Sequence, residues 1–354
     1  MALTDRENYL RCARFEGPEW IPSAIHISAG SWYEYGEEME EVVLRHPGTW
    51  PGYTKGDGPR TAEKSRTDEH EHFTDSWGCT WEQALDGLEG IVKDPPLADW
   101  SAMDGFTPPD PATHGARHPH DWEAALGGIA RAKAEGRLAT GGLEHGHFLM
   151  RLYYLRGFEN LMMDIATDEP RLHELVAMVE GFSAEFVRRY VEAGVDVMGF
   201  PEDLGTQTSS IISPAMFAKW VTPSYSRLMK PCRDAGILVH MHTDGYVMNI
   251  MDELLGAGVD IINPQDLVNG IDALEREVKG RACIRLDIDR QSVMPFGEPS
   301  GVRELVEEEV RKLGGAEGGL MLLAGIYPPT PPRNVDALAS AFEEFRTWWS
   351  DGRG

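Results

Sequence analysis

The chain has 354 residues, 42% of them hydrophobic, with 58 acidic against 33 basic side chains and a formal charge of −25. The length suits one large α/β barrel with an ample core. The acidic excess, with no basic stretch to offset it, argues against direct binding to a nucleic-acid backbone or an anionic membrane, and leaves any anionic substrate to a few well-placed arginines. No run reaches the eighteen or so apolar residues of a membrane span. Four scattered cysteines, Cys12, Cys79, Cys232 and Cys283, do not make a disulfide framework. The start, Met1-Ala2-Leu3-Thr4-Asp5-Arg6, lacks a signal-peptide pattern, so a soluble, cytoplasmic protein is expected.

Apolar runs of strand length occur at 21–28, 138–143, 195–200, 237–242, 259–262, 282–286 and 320–323, and an eighth is expected near Phe73 to Trp81. Between them, 169–192, 214–234, 247–255, 301–313 and 335–349 carry helical periodicity. Ser213-Pro214 sets an N-cap before a first-turn proline, and Asp168-Glu169-Pro170 opens a helix in the same way. Proline-rich and glycine-rich sequence at 50–64 and 94–120 reads as long functional loops. Alternating β and α units without a Gly-x-Gly-x-x-Gly turn after the first strand favour a (β/α)8 TIM barrel over a doubly wound sheet. The expected architecture is a single barrel domain over 1–354, with an N-terminal extension and long loops over its C-terminal mouth.

In such a barrel the chemistry gathers at the C-terminal strand ends. Glu144, His145 and His147 follow the second run, Glu202 and Asp203 the third, and the fourth ends in His240-Met241-His242-Thr243-Asp244-Gly245. Residues two apart on a strand share a face, so His240 and His242 project together and, with Glu202, make a two-imidazole, one-carboxylate metal set. Zinc is the preferred ion, although iron or cobalt accepts the same donors. The bland alternative is two hydrogen-bonded strand-end histidines. His145 and His147 are expected to contact substrate or to pair at a helix start. Asp287 and Asp289 bind substrate, orient Arg290 or cap the next helix. Trp77 and Trp81 wall an apolar or aromatic substrate or pack in the core, and Trp32-Tyr33-Glu34-Tyr35 lines a pocket or covers the barrel end.

The segments Pro201-Glu202-Asp203-Leu204-Gly205-Thr206-Gln207, Ser213-Pro214, Val239 to Gly245 and Gly258-Val259-Asp260-Ile261-Ile262-Asn263-Pro264 lie in order along the chain. With Asp289-Arg290-Gln291, Phe296-Gly297 and Thr330-Pro331-Pro332-Arg333-Asn334-Val335, they resemble the uroporphyrinogen decarboxylase superfamily, in particular its branch of zinc-dependent, corrinoid-linked methyltransferases. The resemblance implies a (β/α)8 barrel, often in a homodimer. The decarboxylases of the family carry an arginine-rich N-terminal segment that meets the acidic arms of a porphyrinogen. Here that region reads Ile25-His26-Ile27-Ser28-Ala29-Gly30-Ser31-Trp32, without arginine. The methyltransferase branch holds zinc with His-x-Cys and a later cysteine, and His242 and Ala324 stand at those cysteine positions.

A site with fewer anionic ligands leaves its ion more electrophilic and suits a Lewis acid at an ether oxygen. The resemblance therefore implies a metal-dependent demethylase that moves a methyl group from a small O-methylated compound, ahead of an N-methylated one, to a corrinoid held by a partner protein. In it Glu202, His240 and His242 hold Zn2+ or another divalent ion, Asp244 orients a ligand, and Trp77, His145, His147, Asp203 and Asp287 bind substrate. The alternatives are a decarboxylase or lyase acting on a small carboxylic acid, and a non-catalytic barrel that binds a small ligand or a corrinoid.

Overall fold

A computed structural model describes residues 3–58, 71–83 and 90–349. Its strands are β1 (Ser23–Ile27), β2 (Glu71–Thr74), β3 (Thr80–Gln83), β4 (Ile91–Asp94), β5 (Thr140–Gly142), β6 (Val197–Pro201), β7 (Leu238–Thr243), β8 (Ile261–Pro264), β9 (Cys283–Asp287) and β10 (Leu320–Ile326). Seven of them form one parallel sheet in the order β1-β10-β9-β8-β7-β6-β5. The fold is thus α/β, with all seven apolar runs present as parallel strands and helices crossing between them. Among the described residues β5 and β1 are the end strands of this sheet, and no eighth parallel strand joins them.

The stretch expected to supply that strand does something else. Phe73 to Trp81 spans the turn between β2 and β3, which pair antiparallel and form a separate three-stranded sheet with β4. Asp75 makes the turn: its Oδ1 accepts the amides of Trp77 and Cys79, each at 2.9 Å, and Gly78 takes φ +84°. An aspartate two residues before its amide donor is a chain reverser, and the aromatic alternation around it masks the turn.

The described residues fall into two compact units, 3–58 with 263–349 and 71–83 with 90–262. In the second unit β5, β6 and β7 run in register, Gly142 beside Gly199 and Pro201 beside His242. Along β7 the residues Leu238, Val239, Met241 and Thr243 are buried while His240 and His242 are half-buried, so the two imidazoles share one face. The glycines of β5 admit the helix Pro170–Ala193, since a Cβ on Gly141 would sit 2.6 Å from Tyr190 Cγ. The periodicity over 214–234 resolves into two helices, Pro214–Trp220 and Thr222–Asp234. Pro223 has no amide to bond Lys219 O and its ring crowds that carbonyl, so one helix ends at Trp220 and the next begins at Thr222.

In the first unit β1, β10 and β9 pair in parallel, from Ser23 beside Leu322 to Leu323 beside Asp287. The helix Asp5–Arg14 opens on a capping box in which Thr4 and Glu7 satisfy each other's amides. The helices Pro299–Leu313 and Pro332–Phe345 each begin with proline in the first turn. Of the two expected loops, 94–120 carries the short helix Trp100–Gly105 and a bridge from His114 to Pro119, whereas 50–64 lies partly outside the described residues. No described helix is long and apolar enough to cross a membrane.

Candidate metal centre

The C-terminal ends of β5, β6 and β7 deliver His145, Asp203 and His242, one residue from each strand or the turn that follows it. One ligand atom from each lies within 4.8 Å of the other two, and among the described residues this is the group that could hold a metal ion. Asp203 Oδ1 is its hub: His145 Nε2 lies 3.1 Å away, His242 Nε2 4.0 Å, and the Asp244 amide donates to it at 3.3 Å. Burial pushes the Asp203 carboxyl up, but the hydrogen bond from His145 and the charges of His145 and His242 outweigh it and hold the group below the ordinary aspartate range. Asp244 Oδ1 stands 3.6 Å from the same His242 Nε2. The side chains of His145, Asp203 and His242 are 25–34% exposed, so an ion or a ligand can reach them.

Two glycines bring these loops together. A Cβ on Gly245, at φ +82°, would meet Gly205 C at 2.2 Å, and one on Gly205 would meet Tyr246 N at 2.4 Å. The loops after β6 and β7 therefore touch backbone to backbone, with Gly205 N bonded to Asp244 O at 3.2 Å and Tyr246 N to Thr206 O at 2.7 Å. That contact fixes Asp203 against His242.

The side chains that converge here differ in part from the expected trio. His242 is common to both. Glu202 is fully buried, and its carboxylate is occupied: Oε1 accepts the amides of Phe148 at 2.8 Å and Met150 at 3.0 Å, and the Tyr225 hydroxyl donates to Oε2. Those amides belong to the cap and first turn of the helix Leu149–Arg156, where a carboxylate is favoured by the unpaired N–H groups and the helix dipole. Burial and the Glu202 charge raise Tyr225 well above the usual phenol range, so it stays a donor. His240 lies on the same face of β7, two residues and about 7 Å before His242, outside the converging group.

His147 is buried and points its Nδ1 at Pro201 O, 3.2 Å away. Burial lowers its pKa, which keeps the ring neutral. Trp77 is buried among aromatic rings, 5.1 Å from Phe182 and 6.3 Å from Phe106 between centroids. Asp287 ends β9 in the other unit, with its Oδ2 3.4 Å from Arg290 Nη2. Trp32 stacks on Tyr53 at 6.2 Å. Sequence reasoning missed Tyr225, because a buried tyrosine on an amphipathic helix carries no local signal. His145 and Asp203 were legible as strand-end groups; their partnership needed the strand register.

A model of the uroporphyrinogen decarboxylase (URO-D) family matches residues 78–345. Among curated relatives, uroporphyrinogen decarboxylase of Thermus thermophilus is 26% identical over 185 residues, covering 50% of each chain. Methylcobamide:CoM methyltransferase MtaA of Methanosarcina barkeri is 24% identical over 163 residues, covering 45% of each chain. The chain therefore spans about half the length of the curated relatives it matches. Among solved structures, a methyltransferase from Methanosarcina mazei superposes with a TM-score of 0.63 at 16% identity, covering 97% of this chain and 99% of that one, a likeness of fold.

Proposed function

This chain belongs to the uroporphyrinogen decarboxylase family, and on that premise we propose that it is a metal-dependent methyltransferase of the family. It takes the methyl group of a small O-methylated compound, ahead of an N-methylated one, and passes it to a corrinoid on a partner protein. The observation that carries the reading is the convergence of His145, Asp203 and His242 at three adjacent strand ends, supported by the likeness to methylcobamide:CoM methyltransferase MtaA. Two imidazoles and one carboxylate fit zinc or another divalent ion with a position left for substrate. Bound there, the ion supplies Lewis acidity to the oxygen that loses its methyl group.

The chain's own residues supply the rest. His145 Nε2 and Asp203 Oδ1 are hydrogen-bonded, and Asp244 Oδ1 stands 3.6 Å from the same His242 Nε2 that faces Asp203, so the atoms that would hold the ion already point at one another. Glu202, expected as a ligand, positions its neighbour instead: by anchoring the helix Leu149–Arg156 and Tyr225 it fixes the backbone that carries Asp203.

The test is metal content and methyl transfer on one set of proteins. Chelated and reconstituted protein should take up one zinc, and methylated cobalamin should form from cob(I)alamin and a methoxylated donor. His145→Ala, Asp203→Ala and His242→Ala should each lose both. Protein that binds no divalent metal, or variants that demethylate at the original rate, sink the reading. The decarboxylase alternative draws on the Thermus relative, and release of carbon dioxide without methylated cobalt is the result that would favour it.

A further inference from the structure

Among the described residues, the seven parallel strands carry a single lysine or arginine, Arg285 in the middle of β9. Strand register fixes what shares its face. Arg285 pairs with Met321 and Asp287 with Leu323, while Leu323 pairs with Ala24 and Gly325 with His26. Paired residues and residues two apart point the same way, so Arg285, Asp287 and His26 lie on one face of the first unit. Ile284 and Leu286 point to the other face and are fully buried, whereas Arg285 is half-buried.

A guanidinium taken out of water is ordinarily matched by an acid. Arg151 has Asp75 at 2.6 Å, and Arg156 has Asp164 at 2.8 Å. Arg285 makes no ion pair among the described residues. The acid on its own face, Asp287, turns Oδ2 to Arg290 Nη2, 3.4 Å away. The other groups that feel the Arg285 charge are neutral at ordinary pH: burial pushes the Tyr9 phenol up to about 12 and the Cys283 thiol well above its usual range, and burial with the Arg285 charge lowers His26. Solvent satisfies N–H groups but brings no counter-charge. The missing element is an anion.

One uncompensated positive charge balances one negative charge, which favours a carboxylate over a phosphate dianion, and the planar guanidinium fork matches two carboxylate oxygens. The face also offers an apolar wall. The Tyr327 ring lies over Gly325, where a Cβ would stand 2.8 Å from Tyr327 Cε2, and Arg290 covers that ring at 5.7 Å from its centroid. We propose that Arg285 anchors a binding site for a small monocarboxylic acid with an apolar body. The carboxylate takes a two-pronged bond from the guanidinium, and the body lies against Leu323 and Tyr327. Every group in the site belongs to the first unit, so the assignment is independent of the metal reading.

Benzoate tests it, titrated by calorimetry into the chelated full chain so that no carboxylate binds a metal ion, with the neutral isostere benzamide in parallel. One saturable benzoate site is expected, at least about tenfold tighter than benzamide, with nuclear Overhauser contacts from the ring to His26 and Tyr327. Arg285→Met, which keeps the length and removes the charge, should weaken benzoate by roughly tenfold to a hundredfold. Because an unmatched charge is then gone, the same variant should melt at or above the temperature of the native chain. Arg285→Lys keeps the charge without the fork and should fall between the two. The assignment is overturned by the absence of a saturable benzoate site, by benzamide that binds as tightly, or by an Arg285→Met protein that binds benzoate as before or melts below the native chain.

Discussion

Carboxylates follow the strands in both units, and they end in opposite states. After β6 and β7, Asp203 and Asp244 keep about a third of their side-chain surface exposed and face imidazoles. After β8 and β9, Asp266 and Asp289 are buried and face backbone amides: Asp266 accepts from Leu267 N at 2.5 Å and Asp289 N at 2.8 Å, and Asp289 from Ser292 N at 2.8 Å and Val293 N at 2.5 Å. A carboxylate consumed by amides builds a turn. One held by side chains at a partly open position is available to an ion. Glu202 and Asp203 compress the same contrast into adjacent residues.

The largest expected effect comes from breaking the backbone contact that makes the open arrangement. Gly245 and Gly270 both sit at φ +82°, but a Cβ on Gly270 would meet only Ala273 Cβ, at 4.0 Å, while one on Gly245 would lie 2.2 Å from Gly205. Gly270→Ala should therefore show backbone strain alone, about 1–3 kcal/mol. Gly245→Ala must also push two loops apart, and a loss of about 4 kcal/mol or more is expected in urea unfolding. Equal losses at the two positions would mean that the loop contact contributes nothing.

Next is the contrast in metal binding. Asp203→Asn should weaken zinc by on the order of a hundredfold, read by competition with a chromophoric chelator, because it removes the anionic hub of the group. Asp289→Asn should leave zinc affinity unchanged and lower stability instead. Zinc lost equally in both variants would erase the distinction between the two strand-end sets.

Protonation sharpens it further, because Asp203 and Asp266 titrate in opposite senses. Asp203 is held below its ordinary range, so its contribution is present above the unfolded pKa and fades as pH falls. Burial pushes Asp266 up to about 6, and burial with the Asp266 charge pushes Glu309 well above the usual carboxylate range. For these raised groups the contribution is complete below the unfolded value of about 4 and is lost as pH rises through about 6 and beyond. Glu309→Gln should therefore flatten the decline in stability between about pH 5 and pH 8 and stabilise the protein at pH 8 by about 1–3 kcal/mol. A decline that is unchanged in the variant would remove Glu309 from the account.

Much of this was legible in the sequence, and the remainder has physical reasons. The parallel strands showed because strands buried on both faces read as short apolar runs. The turn at Asp75 did not, because an aspartate that reverses a chain is indistinguishable by pattern from one within an alternating strand. The single helix read over 214–234 hid a break at Pro223, since apolar periodicity continues through it. At the site, the spacing of His240 and His242 correctly puts both rings on one face of β7. Which carboxylate faces His242 depends on how the loop after β6 leaves the sheet, and adjacent acids look equivalent until the helix Leu149–Arg156 claims Glu202.

The smallest expected effect is the most discriminating for that pair. Glu202→Gln preserves size and leaves Oε1 to accept the Phe148 and Met150 amides. The new amide group can donate to the Tyr225 oxygen, so one charge-assisted bond is exchanged for a neutral one, and a loss of about 1 kcal/mol is expected. If Glu202 serves as an anchor, zinc affinity should stay within about threefold, since neither Gln nor Glu touches the ion. If it is a ligand, replacing a carboxylate with a neutral amide should reproduce the loss expected for Asp203→Asn. The same chelator competition on the two adjacent variants thus assigns the roles of two neighbouring acids.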